Sequence, residues 1–261
     1  MTVEHHAGRT DVLSLQIASQ SGVGARDHNE DDLRTGQHDG MAFAVLSDGA
    51  GGHKNGAIAS DLVVRVVTVE LQSQRELSSQ ALHNAVHDAH EVLLLQQAGA
   101  AERERMHATL VALWIDVAAA RALWSHVGDS RLYLLREGKV RHVTRDDSVV
   151  QQMVDVGLIT AEAALVHPKK HHLQCAMGVE TAFVAHTLER AYALSAGDAF
   201  LLCSDGWWEG LEAADIERTL AAAHSPQAWL ASMHVLIGTA ANPHQDNHTA
   251  IAVWVDDEAA R

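Results

Sequence analysis

Carboxylates placed at the ends of apolar runs are the residues of this sequence most able to do chemistry. "AFAVLSDGAGGHKNG" (42–56) carries an apolar run into Asp48 and a glycine cluster, and "DAFLLCSDGWWEG" (198–210) repeats the plan at Asp205. A buried strand that ends in Asp-Gly holds its carboxylate rigidly at the strand's lip, and the glycine permits a sharp turn and close backbone approach. Asp246, in "HQDNHTAIAVWV" (244–255), precedes an apolar run instead of following one, and "RDHNEDDL" (26–33) places Glu30, Asp31 and Asp32 close to Arg26. A phosphate-cradling loop would close with Gly-Lys-Ser/Thr, whereas Lys54 is followed by Asn55. Several carboxylates on one spot repel each other and lose hydration, so they need a cation. All-oxygen ligands select Mg²⁺ or Mn²⁺ over zinc. Each Asp-Gly or Asp-Asn is an ordinary turn by itself. Together they read as a loop that holds metal, and metal that holds phosphate.

The elements that must position these groups are legible as alternating or β-rich segments at 12–19, 41–47, 108–117, 121–128, 131–137, 139–144, 198–204 and 249–255. Gly138 reads as the turn of a hairpin. Helical periodicity runs over 56–71, 77–98, 148–157, 211–223 and 225–240. Strands come in antiparallel-looking runs with paired helices between them, which is α+β and not a doubly wound parallel sheet. A sheet sandwich with helices outside is expected, with a helical excursion and a mobile flap over the less regular region 145–190.

Composition narrows the function classes. The 261 residues are 47% hydrophobic, with three prolines and no linker-like stretch, so a single domain is expected. A formal net charge of −15 argues against nucleic acid or an anionic membrane as the partner. Cys175 and Cys203 form neither a disulfide framework nor a zinc spacing. The first residues lack a signal-peptide pattern, and no apolar stretch approaches a membrane span, which makes the cytoplasm the expected compartment. Nineteen histidines are scattered without an HExxH pattern.

Seven blocks in order give the chain a family resemblance from about residue 12 to 256. "RDHNED", "LSDGAGGH", "MHATLVAL" (106–113), "SHVGDSRLYLLREGKV" (125–140), "TRDDSVVQQMVDVGLIT" (144–160), "LLCSDGWWEGL" and "QDNHTAIAV" resemble the motifs of the metal-dependent protein phosphatase (PPM) family, in its compact bacterial serine/threonine form. The resemblance implies an αββα sandwich of two antiparallel sheets flanked by helix pairs, with a flap near 145–180. It also implies a binuclear Mg²⁺/Mn²⁺ centre whose activated water attacks phosphorus in line.

Carried over by position, Asp48 would bridge two metals and the Gly49 carbonyl would bind one of them. Asp205 and Asp246 would bind the other, and Glu30 or Asp31 would complete the set or hold a metal-bound water. Asp129 would share a third, looser site with Asp205. Arg26 would grip the substrate phosphate. His53 is a candidate proton donor to the leaving alkoxide, with a turn-stabilising role equally open. The implied substrates are phosphorylated proteins, targets of an opposing Ser/Thr kinase, and a monomer is expected.

The chain departs from the family pattern in places. Ala50 replaces a Met, His107 a Gly and Ala108 a Thr, and Cys175 stands where an Arg near the cleft is common. Trp207-Trp208 after Asp205 is unusual, and reads first as packing for a helix start and second as an aromatic wall beside substrate. Two alternatives share the fold: a pseudophosphatase or partner-binding module, and a stress- or sporulation-regulator phosphatase. The first should have lost one of Asp48, Asp205 and Asp246. Members of the second often lack the flap and the Val-Gly-Asp-Ser-Arg block, both of which are present here. A nucleotide-binding reading lacks the Lys-Ser/Thr closure.

Overall fold

Burial along the strands decides the layering. The computed structural model describes residues 13–50, 55–101, 104–180, 183–239 and 245–258. In β3 (Met41–Ala50), Ala42, Ala44 and Leu46 point to one side, Phe43 and Val45 to the other, and both sets are buried. β5 (Leu110–Asp116), β11 (Ala199–Cys203) and β12 (His248–Asp257) are likewise apolar on two faces. Strands of that kind must be covered on both sides, so they lie in the middle of a stack of layers.

Two antiparallel sheets supply the middle layers. One runs β1 (Leu13–Gly22), β12, β11, β7 (Arg131–Arg136), β8 (Lys139–Val143). The other runs β10 (Tyr192–Ala193), β6 (Arg121–Val127), β5, β3, β2 (Asp31–His38), with β4 (His107–Ala108) on β3 and β9 (His186–Thr187) on β6. The core between the sheets includes Leu46, Leu113, Phe200 and Val253. Outside the second sheet, α1 (Asn55–Ser73) and α2 (Ser79–Gln96) bury Val63, Val67, Val86 and Leu93. Outside the first, α5 (Asp205–Trp208), α6 (Ala213–Ala222) and α7 (Pro226–Thr239) bury Trp207, Ile216, Trp229 and Met233. This is the αββα order expected from the sequence. Among the described residues, no helix is long and apolar enough to cross a membrane.

The hairpin at Gly138 forms as expected. Glu137 and Gly138 both have positive φ (56° and 70°), which matches the twist of the flanking strands β7 and β8. Over the flap, α3 (Val149–Asp155) starts at Ser148 and α4 (Ala161–Leu165) at Thr160, each capped by a side-chain oxygen accepting a backbone N–H. The sequence reading had no strand at β2. Its "DDLRTGQH" has few β-formers, but pairing from Asp31↔Asp48 to His38↔Met41 makes it an edge strand whose charges suit that place.

Candidate metal centre

The two sheets present their carboxylates at one rim. Asp48 lies near the end of β3, with Asp31 directly opposite at the start of β2. Asp205 follows the end of β11 and Asp246 precedes β12. Because those strands are antiparallel neighbours (Cys203↔Ala250), the two turns lie side by side. Gly206 lets them touch, since a Cβ there would meet the Asn247 carbonyl at 2.1 Å. Asp129 sits in the turn between β6 and β7. Asp48, Asp129, Asp205, Asp246, Glu30, Gly49 and Arg26 line one cavity of about 840 Å³. Asp31, half-buried, is paired opposite Asp48 and is not part of that lining.

Hydrogen bonds hold the rim in shape. Thr109 Oγ1 accepts the Asp48 N–H (3.0 Å) and pairs with Ser130 Oγ (2.6 Å), while the Thr109 N–H donates to the Asp48 carbonyl (2.8 Å). Thr109 thereby ties the Asp48 strand to the turn of Asp129. Asn247 Oδ1 accepts the Glu30 N–H (2.9 Å), and its Nδ2 donates to the carbonyls of Val23 and His28. The acidic segment around Glu30 is thus fastened to the turn of Asp246.

The electrostatics leave the cluster short of positive charge. Burial, with Asp205 and Asp246 adding to it, pushes the Asp31 carboxyl up to about 7. Burial first, and then neighbouring aspartates, hold Asp48 and Asp129 well above the usual carboxylate range. Ser204 Oγ donates to Asp31 Oδ2 (2.9 Å), but Asp31 Oδ1 is buried with no hydrogen-bond partner. Arg26 Nη2 lies 2.5 Å from Asp246 Oδ2, with a side chain that is 56% exposed. Among the described residues, the exposed Arg26 guanidinium and His171 are set against Asp48, Asp129, Asp205 and Asp246 on the cavity wall. The donor set is all oxygen, so it fits hard divalent cations.

His171 is a member of the site that the sequence reading missed. Carried in by the flap, its Nδ1 lies 3.3 Å from Asp205 Oδ2 and 3.7 Å from Glu209 Oε1. The hydrogen bond to Asp205, then the charge of Glu209, raises its pKa. One ligand atom each from His171, Asp205 and Glu209 lie within 4.8 Å of one another. No spacing rule pointed to His171, because it meets Asp205 only through the fold of the flap.

Other expected positions are distributed as follows. His53 and the Gly51-Gly52 pair lie outside the described residues. Cys175 does not line the cleft. It packs in the core under α1 and α2, with its Sγ accepting the Val184 N–H at 3.3 Å. Trp207 is fully buried. The Trp208 Nε1 donates to the Asp129 carbonyl (2.9 Å), and the Arg131 guanidinium stacks 3.5 Å from its ring centroid. Packing, the first reading for the pair, accounts for Trp207, while Trp208 also lines a second cavity.

Residues 20–233 match the protein phosphatase 2C family profile, and the chain belongs to that family of metal-dependent protein phosphatases. Serine/threonine phosphatase stp of Listeria innocua is 32% identical over 202 residues, covering 75% of this chain and 78% of that protein. The crystal structure of Mycobacterium tuberculosis serine/threonine phosphatase PstP/Ppp superposes with a TM-score of 0.79 at 31% identity, over 93% of this chain and 99% of that one. The catalytic domain of serine threonine protein phosphatase PstP in complex with two manganese ions gives 0.75 at 33% identity, over 94% and 100%.

Proposed function

We propose that this chain is a single-domain protein serine/threonine phosphatase that hydrolyses phosphoserine and phosphothreonine on protein substrates and opposes a Ser/Thr kinase. The observation that carries the reading is the rim of carboxylates, with Asp48, Asp129, Asp205 and Asp246 on one cavity and Asp31 paired beside Asp48. Relatives named as serine/threonine phosphatases and the manganese-bound PstP domain support it.

Two Mg²⁺ or Mn²⁺ ions, when bound, supply charge neutralisation and an activated water. Asp48 and the Gly49 carbonyl, with Asp205 and Asp246, are the residues proposed to hold them. Glu30, on the cavity wall, and Asp31, opposite Asp48, complete the set. Asp129, beside Asp205, is proposed for a third ion. Arg26 is proposed to leave Asp246 and bind two oxygens of the substrate phosphate, a geometry that suits a planar guanidinium. Thr109 and Asn247 keep the carboxylates in register through their backbone hydrogen bonds. The leaving alkoxide needs a proton, and His53 remains the proposed donor.

The test is hydrolysis of p-nitrophenyl phosphate and of a phosphothreonine peptide by the purified protein. Activity should require Mn²⁺ or Mg²⁺ and vanish in EDTA. Full activity in EDTA, or none with any divalent ion, overturns the reading.

A further inference from the structure

A second cavity, of about 380 Å³, backs onto the first. It lies between the flap helices α3 and α4 and the start of the α5–α6 region. Val150, Val154, Ala164, Leu165 and Trp208 give it an apolar lining. Its wall is built and fixed. Arg131, stacked on the Trp208 ring, also donates two hydrogen bonds of 2.8 Å to Asp146 at the root of the flap.

The two linings touch where Glu209, on the second, lies 3.7 Å from His171, on the first. His171 and Asp205 line the first, and their near neighbours Lys170 and Glu209 line the second. Lys170 Nζ reaches both carboxylate oxygens of Glu209 at 2.8 Å, beside the His171–Asp205 contact. An extended peptide advances about 3.3 Å per residue. Two or three residues therefore span roughly 7–10 Å, enough to carry a side chain past the His171–Glu209 contact between the linings.

The flap is also where the chain exposes apolar surface. Val156, Leu158, Leu165 and Val166, four large side chains within eleven residues, are 73%, 68%, 60% and 83% exposed. Of these, Leu165 also lines the cavity, and exposed apolar surface of this kind marks a contact for another molecule. Because Glu209 on this cavity's wall lies 3.7 Å from His171 on the catalytic cavity's wall, a substrate seated in the first is the molecule placed to reach the second. Glu162 and Glu209 on the lining disfavour an acidic side chain there.

We infer that the cavity under the flap is a specificity subsite for a large aliphatic side chain of the phosphoprotein substrate, two or three residues from the phosphorylated one. The inference rests on the phosphatase reading above.

The test uses phosphothreonine peptides with Leu, Ala or Asp at positions two and three on either side, alongside p-nitrophenyl phosphate, which has no side chain to enter the cavity. At one of these positions the wild-type protein should prefer Leu to Ala by roughly tenfold in kcat/KM, with Asp poorer still. Leu165→Glu, a change at an exposed position, and Ala164→Trp, which fills the cavity, should both erase that preference through KM and leave p-nitrophenyl phosphate kinetics as they were. Wild-type activity with no preference among the peptides overturns the subsite alone. So does a Leu165→Glu protein that changes oligomeric state but keeps the peptide ranking, since the patch would then bind a second copy of the chain. A wild-type protein inactive on every substrate with Mn²⁺ overturns the phosphatase reading and the subsite with it.

Discussion

Asp31 and Asp48 face each other across the β2–β3 ladder, and the buried Oδ1 of Asp31 has no hydrogen-bond partner. Two half-buried carboxylates in register repel each other unless they are protonated or share a cation. This makes the metal-free protein sensitive to pH in a defined direction.

Asp31 is raised from 3.8 to about 7, and Asp48 moves the same way. Between those pH values the folded state binds protons that the unfolded chain does not. Stability in EDTA should therefore fall as pH rises from about 4 through about 7, by roughly 4 kcal/mol at most for Asp31, with Asp48 acting in the same direction. Mn²⁺ should restore stability at pH 8 and flatten the profile. Melting curves across this range check it, and a Tm in EDTA that climbs steadily from pH 5 to 8 contradicts it.

Asp205 and Asp129 should separate core from outer metal binding. Asp205→Asn removes a ligand charge at the meeting of the β11 and β12 turns, and tight Mn²⁺ binding should be lost along with turnover. Its cost should exceed the roughly 10- to 100-fold typical of losing an outer-shell partner. Asp129→Ala should retain two tightly bound ions and still lose much of its turnover. Calorimetric Mn²⁺ titration of both variants decides, and retained tight binding in Asp205→Asn reverses the assignment.

Arg26→Ala should act on substrate and not on the fold. The Arg26–Asp246 pair is exposed on the arginine side, and pairs of that kind contribute about 0–1 kcal/mol. KM for a phosphopeptide should rise about tenfold with little change in Tm. Lys should not rescue it, because it cannot hold two phosphate oxygens in the guanidinium's fork. Steady-state kinetics of the Ala and Lys variants with wild-type KM would refute the phosphate contact.

Thr109→Val tests the scaffold behind Asp48. The change keeps the shape but leaves the Asp48 N–H and Ser130 Oγ without their partner. A loss of about 1–3 kcal/mol is expected from the buried groups left unsatisfied. Mn²⁺ affinity should fall together with stability. Denaturant unfolding and metal titration on the same sample measure both.

The sequence by itself determined most of the layering and the cast of carboxylates. Continuous apolar runs marked β3, β5, β11 and β12 because a strand covered on both faces is apolar throughout, a property local enough to read. Asp48, Asp205 and Asp246 were legible because an Asp at the end of an apolar strand is a local pattern too. The edge strand β2 was not, since "DDLRTGQH" becomes a strand only by pairing with β3. Nor could the sequence separate Glu30 from Asp31. Register on the ladder puts Asp31 opposite Asp48 and outside the cavity lining, while Glu30 reaches its wall. His171 beside Asp205, and Trp208 under Arg131 with its indole on the Asp129 carbonyl, were decided only by tertiary structure. These contacts join segments 34 to 79 positions apart. Packing and charge in three dimensions choose such partners, and no periodicity along the chain encodes them.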